Sequence, residues 1–170
     1  MGVSQSPWLH SARGRMQKSQ PPESFGVFKP VGHVVLAFRT SDVLHAATTA
    51  LIEQGFVQAD FVRYTSQEMM DLADAELRHP SPLAAFGHEL NLVKAHRELA
   101  AGGCSFLVVH APDADQVKHV TAVANALHAV TAQRYGSLVI EELVEQPLAG
   151  AVAAPAAPQP DSKLAAELGR

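Results

Sequence analysis

HVVLAFR (residues 33–39) and SFLVVH (residues 105–110) are the stretches that decide the fold. Side chains alternate along an extended backbone, so in the first stretch Val34, Leu36 and Phe38 fall on one side and Val35 and Ala37 on the other. The second is an apolar run of the same kind. A strand that is apolar on both sides needs cover on both, and each stretch therefore reads as an interior strand. Outward from the first, Ser41 or Asp42 is placed to cap a helix that runs to about Gln54, with Val43, Ala47, Ala50 and Leu51 in one stripe and Gly55 as its stop. Phe56 to Tyr64 then alternates, with Gln58 and Asp60 interrupting, as in a strand at an edge or with one wet side. Outward from the second stretch, Asp113 starts a helix that carries Val117, Val120, Ala124, Leu127 and Thr131 on one face. Gly136 then precedes a strand from Leu138 to Val144 that bears Glu141 and Glu142.

The chain thus holds two βαβ units. In tandem they predict an α+β, ferredoxin-like fold: a four-stranded antiparallel sheet whose first and third strands lie in the middle and whose more polar second and fourth strands form the edges. Between the units lies an insert, residues 65–103. It is opened by a capping-box pattern (Thr65 with Glu68), broken at Pro80 and Pro82, and resumed from about Ala84 to Ala101, which predicts two helices. Two repeat helices cover one face of a sheet only. The spacing of apolar residues on both faces therefore demands that the insert helices or a second subunit cover the other. Residues 1–29 are rich in Ser, Gln, Pro and Gly, and the end from Pro147 reads PLAGAVAAPAAPQP; both are expected to be disordered tails around a domain spanning residues 30–146.

Composition bounds the partners. A net charge of −4, with basic residues spread along the chain, gives no electrostatic reason to approach nucleic acid or an anionic membrane. No apolar run is long enough for a signal peptide or a spanning helix. The single cysteine, Cys104, excludes an internal disulfide and a CxxC site, and a reducing, cytoplasmic compartment is the expectation. Gly102 and Gly103 lack the spacing of a phosphate cradle, so no nucleotide cofactor is expected.

The order βαβ, helical insert, βαβ, with AAGGCSFLVVHAPDADQV (residues 100–117) after the insert, resembles the bacterial general-stress-protein-like domains. Their second half begins with a Gly-containing turn, a valine-rich strand and an Asp-bearing helix start. The resemblance covers about Val31 to Glu145, and the more polar SQEMMDLADAELRHPSPLAAFGHELNLVKAHREL (residues 66–99) stands where the family has a Gly/Ala-rich insert. It implies an α/β fold and a link to stress, and no reaction or catalytic residue to carry over.

The second insert helix is where chemistry is expected. Glu89 and His96 project from nearly the same direction inside a wide apolar arc, and Arg97 falls between Phe86 and Leu90. Charged or polar groups in such surroundings need partners, so a structural network or a ligand site is expected there. Glu89 and His96 are roughly 10 Å apart along the axis, too far to share one metal ion. Among nine histidines none forms HExxH or HxH, so no metal motif is read from the sequence. His45 lies on a polar helix face with Thr49 and Glu53, and His119 with Asp115 is an ordinary surface pair. His110 ends a central strand, a common place for functional groups, and Tyr64 closes the second strand where it can frame a pocket. Cys104 is expected to be buried. The expected function is that of a non-enzymatic, homo-oligomeric (dimeric) module, stress-related or regulatory, which binds a protein partner or small ligand through the insert-covered face; the candidate residues are Glu89, His96, Arg97, His110 and Tyr64. The alternative is a small cofactor-free enzyme with Glu89 and His96 or His110 as acid/base groups. A third class, a metal site made of histidines that meet only in three dimensions, is left open by sequence.

Overall fold

The computed structural model describes residues 18, 23–24, 27–28, 31–78, 88–136 and 139–144, with the side chains of 23, 24, 27, 28, 88 and 89 outside the description. Most of the tails expected at 1–29 and 147–170 lies outside the described residues. Within the first, β1 (Glu23–Ser24) pairs antiparallel with β2 (Val27–Phe28).

The main elements are β3 (His33–Phe38), α1 (Ser41–Glu53), β4 (Phe61–Tyr64), α2 (Ser66–Arg78), α3 (His88–Ala101), β5 (Ser105–His110), α4 (Ala114–Ala126), β6 (Thr131–Tyr135) and β7 (Ile140–Glu142). Their ends follow local chemistry. The cap of α1 is Thr40, whose Oγ1 accepts the Val43 N–H at 3.3 Å, rather than Ser41 or Asp42. Asp113 caps α4 as expected by accepting the Gln116 N–H at 2.8 Å. At α2 the capping box is complete: the Thr65 hydroxyl accepts the Glu68 N–H at 3.2 Å and the Glu68 carboxylate accepts the Thr65 N–H at 2.8 Å. Helix α1 ends on Gly55 (φ 97°) and α3 on Gly103 (φ 89°), left-handed positions that suit glycine.

The sheet is antiparallel with five strands in the order β4-β5-β3-β6-β7, where the sequence predicted four. The difference arises at the end of α4. His128 adopts a left-handed φ of 51°, the Ala129 N–H reaches back to the Ala124 carbonyl at 2.8 Å, and the helix stops before Thr131 instead of running through it. Residues 131–135 then form β6, and the strand expected at 138–144 is the added edge strand β7. Gly136 makes that hairpin possible, since a Cβ there would stand 2.8 Å from the Val139 carbonyl oxygen. The strand expected from Phe56 is also shorter. Residues 58–60 form a 3-10 turn in which the buried Asp60 carboxylate accepts the Val57 N–H at 3.0 Å.

One sheet face packs on α1 and α4. Val34, Leu36 and Phe38 of β3 join Leu107 and Val109 of β5 and Ala132 of β6 against Leu44, Ala47 and Leu51 of α1 and Val117, Val120 and Val123 of α4. The other face, Val35, Ala37, Val62, Phe106 and Val108, is covered by Met69 of α2 and Ala100 of α3, with Met70, Leu72 and Leu99 at its margin. Of the two covers that the sequence allowed, insert or second subunit, the insert takes the place. Each large side chain fully buried in this way contributes on the order of 1.5–3 kcal/mol.

Candidate functional site

Register decides which polar side chains meet. Residues paired across antiparallel strands share a face, so His33, Val35 and Ala37 of β3 look the same way as His110, Val108 and Phe106 of β5 and as Tyr135, Gln133 and Thr131 of β6. This is the insert face. Two layers of polar groups interrupt it.

The inner layer is His96 with Gln133. His96 enters from α3, is 4 % exposed, and its Nε2 lies 2.9 Å from the Gln133 Oε1. An amide oxygen only accepts, so Nε2–H is the donor. The ring meets Phe106 edge-on with centroids 5.8 Å apart. Burial pushes the imidazole below its ordinary pKa, and the hydrogen bond to Gln133 opposes that in part. A ring so enclosed is suited to fix α3 on the sheet. One strand further out, the Glu142 carboxylate accepts the Thr131 hydroxyl at 3.0 Å and the Ala132 N–H at 3.0 Å, which binds β7 to β6.

The outer layer is a row across three strands: His110, His33 and Tyr135. The Ala111 N–H donates to the Gly32 carbonyl at 3.0 Å, so His33 and His110 form a non-hydrogen-bonded pair, the kind that brings side chains closest, with Cα atoms about 4.5 Å apart. Their rings stand edge to face with centroids 4.8 Å apart and planes crossed at 62°. His33 Nδ1 lies 2.9 Å from the Val31 carbonyl oxygen, which fixes the proton on Nδ1 and the lone pair on Nε2 of the neutral ring. His33 and Tyr135 are buried, and His110 is half-buried.

The other expected site residues are dispersed. Glu89 lies in the described backbone of α3, but its side chain is outside the described residues. Arg97 is exposed and paired with Asp74 of α2, away from the sheet. That corrects its placement inside the apolar arc: the helix turns it toward α2. Tyr64 is buried at the opposite end of the sheet from His110, with the Lys18 ammonium 5.9 Å from its ring centroid. Its phenol pKa is raised by burial and then by the Glu68 charge, and it is not part of the histidine row. Cys104 is buried and its thiol pKa raised, again chiefly by burial. His33, Tyr135 and Gln133 did not emerge from sequence. The signal for His33 was present: in two antiparallel neighbouring strands of six residues each, the first residue of one faces the last of the other.

Among the described residues no group of three or more His, Cys, Asp or Glu is arranged to hold a metal ion, and no helix is long and apolar enough to cross a membrane. Comparison with models of known protein families, with curated proteins and with solved structures finds no significant match to this chain.

Proposed function

We propose that this chain is a non-enzymatic, cytoplasmic binding module that takes a small polar ligand at the outer end of its insert-covered sheet face. The observation that carries the reading is the row His110, His33 and Tyr135, three polar rings on adjacent strands at one end of a face where two further buried polar side chains, Gln133 and Thr131, are bonded to His96 and Glu142. In this reading the fold is ferredoxin-like, of the general-stress-protein-like kind, enlarged by β7. Its support is that β3 and β5 are neighbours inside the sheet, flanked by β4 and β6.

The acid/base alternative has less in its favour. Of its groups, Glu89 with His96 or His110, His96 is enclosed and committed to Gln133, a general base has to reach the proton it abstracts, and His110 stands against His33 in the row read here as a binding site. The expected homo-oligomer accounted for a surplus of apolar surface; since α2 and α3 cover the second sheet face from within the chain, the proposed unit of ligand binding is one chain. Light scattering over a dilution series tests this against a dimer.

The direct test is a thermal-shift screen of small carboxylic acids, phenols, amides and divalent metal ions against the wild-type protein and the variants His110→Gln and Tyr135→Phe. At least one compound class is expected to raise the melting temperature of the wild type and to do so less in the variants. Equal shifts in all three proteins, or none in any, overturn the reading.

A further inference from the structure

Resting on the reading of the outer row as a binding site, we infer that its ligand is a divalent transition-metal ion of the imidazole-seeking kind, copper(II), nickel(II) or zinc(II), held between His33 and His110.

Three observations converge. The two histidines occupy the closest type of cross-strand pairing that a sheet offers, so two strands present both rings without any loop to order. Their rings are neither parallel nor coplanar, and 4.8 Å between centroids with 62° between planes is a spacing compatible with two imidazoles on one ion. The Val31 carbonyl accepts the Nδ1–H of His33, the kind of hydrogen bond that orients metal-bound imidazoles and leaves Nε2 as the ligating nitrogen. An arriving cation takes the Nε2 lone pair in place of whatever hydrogen it accepts. Borderline divalent ions prefer such nitrogen donors, whereas magnesium and calcium prefer oxygen. Tyr135, the register partner of His33 on β6, adds a phenol on the other side of the pair, and half-buried His110 gives the row a solvent-facing side.

The sequence hides this site because His33 and His110 are 77 positions apart. No local motif connects them. Two protein nitrogens leave the remaining coordination positions to water or to a second small donor, which suits a site that captures or exchanges its ion rather than one that locks it in for structure.

The test adds copper(II) in substoichiometric amounts to the full chain and follows the ring signals of the nine histidines by NMR. Paramagnetic broadening is expected first at His33 and His110 and later at His45 and His119, which lie exposed on α1 and α4. In parallel, titration calorimetry with zinc(II) is expected to give one site per chain, weakened at least tenfold by His33→Gln or His110→Gln and unchanged by His45→Gln with His119→Gln. Broadening that starts elsewhere, or zinc binding indifferent to both row variants, overturns the inference. The wild-type NMR arm holds even if His33→Gln fails to fold. Should copper leave the row untouched while His110→Gln still abolishes a small-ligand thermal shift, the metal inference falls and the binding-site reading stands; should both responses be absent, both fall.

Discussion

The two faces of one sheet are built by different rules. Toward α1 and α4 the buried contacts are chiefly aliphatic and aromatic, and the buried hydroxyl of Thr48 on α1 donates to the Leu44 carbonyl of its own helix at 3.0 Å and accepts the Arg63 Nε–H of β4 at 3.4 Å. Toward α2 and α3 the sheet buries His33, Thr131 and Gln133, and α3 adds His96. An interface that buries no titrating group responds little to pH near neutrality and tolerates small rearrangements. A buried polar layer must be satisfied in full, which makes the second face more specific in register and more exposed to changes in protonation. Burying polar groups costs free energy unless they are fully paired, so a face that keeps them is constrained by more than packing.

Each face depends most on its largest buried side chain. Phe38 points to the α1/α4 face and Phe106 to the insert face, and both are fully buried. Each Phe→Ala substitution is expected to cost about 3–5 kcal/mol in urea unfolding. A loss under about 1 kcal/mol for Phe106→Ala would mean that α2 and α3 do not belong to the cooperative core.

Gln133→Leu should cost about 1–3 kcal/mol, because it leaves the His96 Nε2–H buried without its acceptor. The same site carries the pH dependence. Burial holds the folded-state pKa of His96 below the ordinary value, so below about pH 6.5 the unfolded chain takes up a proton that the folded chain resists. The stability due to the neutral ring is thus full above that pH and declines as pH falls toward the lower folded value. Melting temperatures at pH 7.5 and 5.5 should show an acid loss that His96→Leu reduces and Phe38→Ala leaves in place; the same slope in all three proteins removes the distinction between the faces.

Smaller effects are expected at the sheet edge and the helix ends. Glu142→Ala is expected to cost about 1 kcal/mol by removing the acceptor of the Ala132 N–H, and hydrogen exchange at that amide should quicken. His128→Gly should stabilise by about 1 kcal/mol, since glycine takes the left-handed φ of 51° without the penalty of a Cβ. Arg97→Ala, which removes an exposed pair with Asp74, should leave the melting temperature nearly unchanged, as most surface ion pairs do.

The components of the α1/α4 face were legible from sequence because period-two and period-3.6 patterns group Val34, Leu36 and Phe38 on one side of β3 and Ala47, Leu51, Val117 and Val120 on helix stripes, while the structure decided that these two sets meet. The insert helices were legible from the Thr65 and Glu68 box and the proline break. The residues 131–135 were not. TAQRY is short and half polar, and the helix before it stops on a histidine where glycine would have been a visible mark. Of the site, His110 could be singled out by its place at the end of a central strand, and His96 by its apolar neighbours. Arg97 was misplaced because one helical position, about 100°, separates the sheet-facing side of α3 from the side that meets Asp74.

By itself the sequence determined the interior strands, the helices around them and the need to cover both faces, since these follow from the alternation of apolar side chains along each element. Only the tertiary structure decided that the insert supplies the second cover, that β7 extends the sheet, and that His33 stands beside His110. Strand pairing brings together residues with no sequence relation, and its register is fixed by the whole sheet rather than by any segment of it.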